Sequence, residues 1–212
     1  MITRILTALL LALAIGSATL FLTEFWFAVT IVLVTGMAFY ELCGLVGISQ
    51  KLARIFWVSC YLLGCLAYFM SGLAREPLIY FSFFVWIWAI LSVVFYPRGS
   101  WIFSKRYTSS ILGALLLSGA AFSVLAIRES TDGYFWFFWL LVLTTSVDAG
   151  GYFVGRKYGK TPLAPKVSPG KTIEGLAGGV FACLVICGTL NFVFVSDSHL
   201  GYLIIIPLAF FA

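Results

Sequence analysis

Residues able to do chemistry crowd into one stretch of this chain, Asp148 to Gly179, which reads DAGGYFVGRKYGKTPLAPKVSPGKTIEGLAGG. Five cations (Arg156, Lys157, Lys160, Lys166, Lys171) stand among glycines, prolines and two carboxylates, Asp148 and Glu174. Glycines expose backbone amides, and cations beside them neutralise oxyanions, so the pattern suits phosphate groups. A carboxylate at such a place could bind a metal ion. The only histidine, His199, lies in a separate polar turn, which argues against chemistry that needs an imidazole base. Charge-assisted handling of a phosphorylated substrate is what these residue types allow.

Counting excludes the commonest nucleotide motif. A P-loop needs G-x-x-x-x-G-K-[ST] after a strand. Gly159–Thr161 would need a glycine at 154, where Val154 stands, and Gly170–Thr172 would need one at 165, where Pro165 stands. Gly155, Arg156 and Lys160 remain as candidate phosphate-binding residues, joined by Lys166, Ser168, Gly170, Lys171 and Thr172. Ser168 followed by Pro169 fits a helix N-cap with proline at the first helical position; alternatively Thr172 caps the next helix. Either arrangement turns free amides and the positive end of a helix dipole toward a ligand, with Lys171 adding a full charge. Glu174, in the first turns of that helix, could complement the dipole or bind a metal. Asp148 lies about 21 Å along an apolar run that needs about 30 Å to cross a bilayer, so it sits below the surface. A carboxylate at that depth calls for a cavity, a cation or a metal. Gly151 and Gly155, at helical spacing, permit either close helix packing or close approach of a ligand.

The elements that hold this stretch are membrane helices. Hydrophobic residues make up 62% of the chain and charged ones only 10%, against about 25% charged in a soluble domain. Apolar runs occur at Ile5–Leu22, Phe25–Leu45, Ile55–Leu73, Pro77–Tyr96, Ser109–Ile127, Tyr134–Phe153, Ile173–Val195 and, cut short, Leu200–Ala212. The expected fold is therefore all-α: a polytopic integral membrane protein with about 7–8 spans forming one transmembrane domain over residues 1–212. The first run is read as an uncleaved span rather than a signal peptide, because Phe25 opens the next run at once. With the N-terminus in the cytoplasm, eleven Lys and Arg face inward and two, Arg75 and Arg128, face outward. The segment 148–179 then faces the cytoplasm. Glu41 falls at the same side, as a snorkelling residue or a contributor to the site. The loop Pro97–Tyr107 mixes cations with aromatics, as an interfacial anchor does and as a landing site for an anionic lipid would. All five cysteines lie in apolar runs without metal spacing and read as small buried residues.

The run from Ser146 to Gly179, with D-A-G-G-Y-F-V-G-R-K-Y-G-K followed by L-A-P-K-V-S-P-G-K-T-I-E-G-L-A-G-G, resembles the corresponding region of the CDP-diacylglycerol synthases (phosphatidate cytidylyltransferases). The resemblance implies transfer of a cytidylyl group from CTP to phosphatidate, giving CDP-diacylglycerol and pyrophosphate, with Mg²⁺ as cofactor. It implies Asp148 as a metal ligand and, with Lys171, a catalytic residue; Gly155, Arg156, Lys160, Lys166, Ser168, Gly170, Thr172 and Glu174 would bind substrate. CTP, phosphatidate and the bilayer are then the partners, without nucleic acid; a homodimer is allowed, and the setting is a bacterial inner membrane. The family's later signature of Ser-x-x-Lys-Arg, Lys-Asp, His-Gly-Gly and Asp-Arg does not follow Gly179, so the expectation is a C-terminally truncated enzyme. Two alternatives stand beside this reading: another CTP-using membrane enzyme (a lipid-alcohol kinase or a CDP-archaeol-type synthase) and a transporter subunit without catalysis. The near absence of charge within the spans argues against the transporter.

Overall fold

The structure is a computed structural model and describes residues 14–98 and 105–194. Within that range the chain is helical apart from one short hairpin. Residues 14–21 are helical and are followed by α1 (Glu24–Leu45), α2 (Lys51–Met70), α3 (Glu76–Val94), α4 (Arg106–Glu129) and α5 (Gly133–Tyr158). Strands β1 (Pro162–Ala164) and β2 (Ser168–Thr172) come next, then α6 (Ile173–Phe194). Six of these helices are long and apolar enough to cross a membrane. Apolar side chains cover their flanks, and helices close every backbone hydrogen bond internally, as a lipid solvent demands. The expected all-α membrane architecture is therefore what the chain adopts. The expected spans at Ile5–Leu22, in part, and Leu200–Ala212 lie outside the described residues, as do Arg4, Trp101, Phe103 and His199.

Two compact units divide the chain, Met1–Tyr134 and Phe135–Ala212. In the first, α1 packs against α2 and α4, and α4 also packs against α3. Small residues set these approaches. A Cβ on Gly36 of α1 would meet Leu62 of α2, one on Gly113 of α4 would meet Leu42 of α1, and one on Gly119 of α4 would meet Ser82 of α3. Close approach of this kind supplies the dispersion that binds helices in lipid, where no hydrophobic force drives them together. Phe27, Phe39, Cys43, Phe122 and Leu125 fill the interior. Turns between helices use glycine where the backbone must turn left-handed: Gly47, at φ 88°, ends α1, and Gly72, at φ 66°, follows α2.

Arg128 closes the other end of this unit. Its guanidinium lies 4.6 Å from the Phe27 ring centre and 4.4 Å from that of Tyr134. It donates to the Leu22 carbonyl at 3.0 Å. Cation–π contact and a backbone acceptor let a buried charge persist in an apolar setting. Its neighbour Glu129 pairs instead with Arg75.

In the second unit, α5 and α6 are joined by the hairpin. Helix α5 extends five residues past the expected Phe153, through Arg156 and Lys157 to Tyr158. Those two cations sit in its last turn, where they complement the negative end of the helix dipole. Of the cysteines, Cys43, Cys65, Cys183 and Cys187 are buried as expected, whereas Cys60 is exposed.

Candidate functional site

The site stretch is built on an antiparallel helix pair with almost no side chain between the backbones. Gly151 and Gly155 of α5 face Gly175 and Gly179 of α6, two small-xxx-small patterns set against each other. The Cβ that Gly179 lacks would fall 2.7 Å from the Val147 carbonyl, and that of Gly150 would fall 2.7 Å from the Gly178 carbonyl. At Gly155 a Cβ would lie 3.3 Å from both the Gly175 Cα and the Thr172 hydroxyl. Between the two uses the sequence left open for Gly151 and Gly155, the structure gives them helix packing. Below the glycines, Leu143, Cys183 and Cys187 form a buried cluster with Trp139, Val142 and Val147 against it.

At the end of this pair the chain turns into β1 and β2, which pair antiparallel with Pro162 opposite Thr172 and Ala164 opposite Ser168. The Val167 amide donates to the Ala164 carbonyl at 3.0 Å and closes the turn that carries Lys166 at its tip. A hairpin was not expected here. Ser168 accordingly does not cap a helix: it opens β2, and the cap is Thr172, whose hydroxyl accepts the Gly175 amide at 3.1 Å. Of the two caps the sequence allowed, Thr172 is the one used. The reason is geometric, since pairing of Ser168 with Ala164 holds Ser168 extended and delays the helix to Ile173.

Glu174 fastens the loop to the helix. Its carboxylate accepts the Lys160 amide at 3.1 Å, the Thr161 amide at 3.1 Å and the Thr161 hydroxyl at 2.8 Å. The Ile173 amide donates to the Thr161 carbonyl at 2.9 Å. These bonds fix residues 160 and 161 against the first turn of α6, and Glu174 spends its oxygens on protein donors. Charge-assisted bonds of this type are about twice as strong as neutral ones.

The cations are left outward. Lys160, Lys166 and Lys171 are exposed, and nothing lies within 4 Å of where a Gly170 Cβ would stand. Arg156 donates to the Tyr152 hydroxyl at 2.9 Å, and the Lys157 ammonium lies 5.1 Å from the Tyr158 ring centre. Asp148 is exposed on α5, and no described residue bonds to it. It stands seven residues before Gly155, about 10 Å along the axis. The structure thus gathers Gly155, Lys160, Thr172 and Glu174 at one junction, with Lys166, Ser168, Gly170 and Lys171 on the attached hairpin. Asp148 stands apart from them, two turns away.

Among the described residues no three of His, Cys, Asp and Glu cluster as a ready metal cage. Mg²⁺ does not require one, since one or two carboxylates plus waters and substrate phosphates suffice. Asp148, with both oxygens uncommitted, fits that donor set; Glu174, with both engaged, does not.

Comparisons with known proteins show which family this chain belongs to. The model of the "Cytidylyltransferase family" matches residues 2–212. The chain belongs to that family. A phosphatidate cytidylyltransferase of Haemophilus influenzae is 30% identical over 92% of this chain and 73% of its own length. One from Pseudomonas aeruginosa is 31% identical over 84% of the chain, which spans 65% of that relative. The enzyme of the same name from Bacillus subtilis is 40% identical over a shorter stretch, 36% of this chain and 28% of its own. As a family member the chain presents, at one helix junction, exposed cations, a helix N-terminus and an uncommitted carboxylate two turns along α5.

Within this site, sequence reasoning missed the hairpin and the role of Thr161. The hairpin's strands are too short to show alternation, and their prolines, Pro162 and Pro169, argue against a strand reading. The Thr161 contacts left no signal, because they depend on a fold-back of the loop onto Glu174.

Proposed function

We propose that this protein transfers a cytidylyl group from CTP to phosphatidate. Membership of the cytidylyltransferase family carries the reading, and the relatives bearing the phosphatidate cytidylyltransferase name support the choice of acceptor. A phosphatidate oxygen forms a bond to the α-phosphorus of CTP, and the bond from that phosphorus to the β-bridging oxygen breaks. CDP-diacylglycerol and pyrophosphate result. The attacking oxygen is already ionised, so no base has to remove a proton. What the protein must supply is positioning and charge for a crowded set of oxyanions.

The chain's own residues suit those tasks. Lys160, Lys166 and Lys171 are free to contact the triphosphate, and Arg156 stands in the last turn of α5. Gly170 leaves its backbone open to close approach. Ser168 is a further donor on the hairpin. Gly155, Thr172 and Glu174 act behind these groups: they hold the hairpin and the α6 N-terminus in register. Asp148 is the proposed ligand for Mg²⁺, which would draw charge from the phosphates when bound.

We place the site at the cytoplasmic face of a bacterial inner membrane, because the cations gather on the side that the positive-inside rule puts in the cytoplasm. CTP is available there, and phosphatidate reaches the same boundary from the bilayer. A homodimer is compatible with this scheme and is not needed by it. The test is Asp148→Asn. Its side chain supports no described contact, so the variant should fold and insert normally while CTP-dependent pyrophosphate release falls by about a hundredfold or more. Near-normal turnover would remove Asp148 from the reaction.

A further inference from the structure

A groove in the first unit offers a place for a lipid. Helices α2 and α4 both run antiparallel to α1. Leu42, near the end of α1, meets Gly113, near the start of α4. Arg128, at the end of α4, reaches back to Leu22. The starts of α2 and α4 therefore share one end of the unit, and a cavity of about 350 Å³ runs between them with Phe39 of α1 at its floor. Its lining is almost wholly apolar. Gly64, Cys60 and Ile111 form its walls. Trp57 stacks on Tyr107 at one end, with ring centres 6.3 Å apart. Tyr68 meets Phe122 edge-on at the other, 5.1 Å apart. From Ile111 to Phe122 the groove follows α4 for about 16 Å.

At the Tyr68–Phe122 end Arg75 pairs with Glu129 and Arg128 is buried, whereas exposed positive charge collects at the Trp57–Tyr107 end. Lys51 opens α2 and Lys105 and Arg106 open α4; all three are exposed, and among the described residues none has an ion-pair partner. Arg54 is nearby but committed, donating to the Ile48 carbonyl and lying 5.7 Å from the Tyr40 ring centre. Cations at helix starts add to a dipole that is already positive, which costs stability unless an anion is present. The positive-inside rule explains cations on this side, but not an apolar groove that leads away from them along the helix axis.

We propose that this groove holds one acyl chain of an anionic glycerophospholipid, with its phosphate at Lys51, Lys105 and Arg106. The apolar lining takes the chain, the aromatic pair lies at headgroup depth, and the three free cations face the phosphate. The site lies wholly in the first unit and stands whether or not the second unit transfers a cytidylyl group.

The test uses the full chain in mixed micelles, with native mass spectrometry counting bound phosphatidic acid, phosphatidylglycerol or phosphatidylcholine. The unaltered protein should retain one anionic lipid in preference to phosphatidylcholine by roughly fivefold or more. Gly64→Leu should lose that lipid, since nothing lies within 4 Å of the position and the new side chain would enter the groove. Leucine also favours a helix over glycine, so the variant should keep its fold and thermal midpoint. Lys105→Gln with Arg106→Gln should keep a lipid but bring the preference close to unity. Undiminished anionic lipid on Gly64→Leu would overturn the proposal. So would an unaltered protein without preference, or a dimer that dissociates on Gly64→Leu, which would make a second copy the occupant.

Discussion

At the scale of single residues, the two carboxylates of the site have separate duties. Glu174 has its oxygens filled by the amides of Lys160 and Thr161 and by the Thr161 hydroxyl, while Asp148 has no described partner. Lys171 is exposed on β2, and its removal takes away charge without taking away a contact. Lys171→Ala should therefore raise the KM for CTP about tenfold while leaving the hairpin as resistant to protease as before. Glu174→Gln should behave differently: the 159–161 loop should become cleavable in limited proteolysis, with any loss of activity following that loosening. Equal protease resistance in the two variants would contradict the fastening role of Glu174. The composition of the site was legible from residue types alone, since the crowding of cations and glycines in an oily chain has few other uses. The division of labour was not, because nothing in the spacing of Thr161 and Glu174 says that the loop folds back onto the helix.

At the scale of elements, the contact between α5 and α6 is set by glycine. The periodicity placed Gly151 and Gly155 on one face but could not say what approached them; the partner glycines 175 and 179 do. Packing this close tolerates no added volume. Gly150→Val should destabilise the protein by about 1–3 kcal/mol, read as a lower thermal midpoint, because the new side chain would strike Ala182 and the Gly178 carbonyl. Gly188→Ala, with nothing within 4 Å of its Cβ, should leave the midpoint unchanged or raise it. A similar fall in both would mean that the helix contact does not depend on glycine. The spans themselves were readable to within a few residues, because a run of apolar side chains long enough to cross lipid admits only a helix. The hairpin was not, as a three-residue and a five-residue strand carry too little alternation to announce themselves.

At the scale of the whole molecule, six described spans and the asymmetry of charge argue for one cationic side and one acidic side. A cysteine placed at Lys166 should react with an impermeant maleimide only from the cytoplasmic side of inverted vesicles, and one at Asp132 only from the opposite side. Labelling of both from one side would contradict the topology. Composition excluded a soluble protein and charge asymmetry predicts an orientation, yet the division into two units was not legible in hydropathy, since apolar spans run through both. The central claim concerns which phosphate of CTP reaches the lipid, and a matched pair of labels tests it most directly. With phosphatidate present, label in the α-phosphate of CTP should enter the lipid extract, and label in the γ-phosphate should remain in released pyrophosphate. Transfer of the γ label into lipid would identify a CTP-dependent kinase instead and contradict the account.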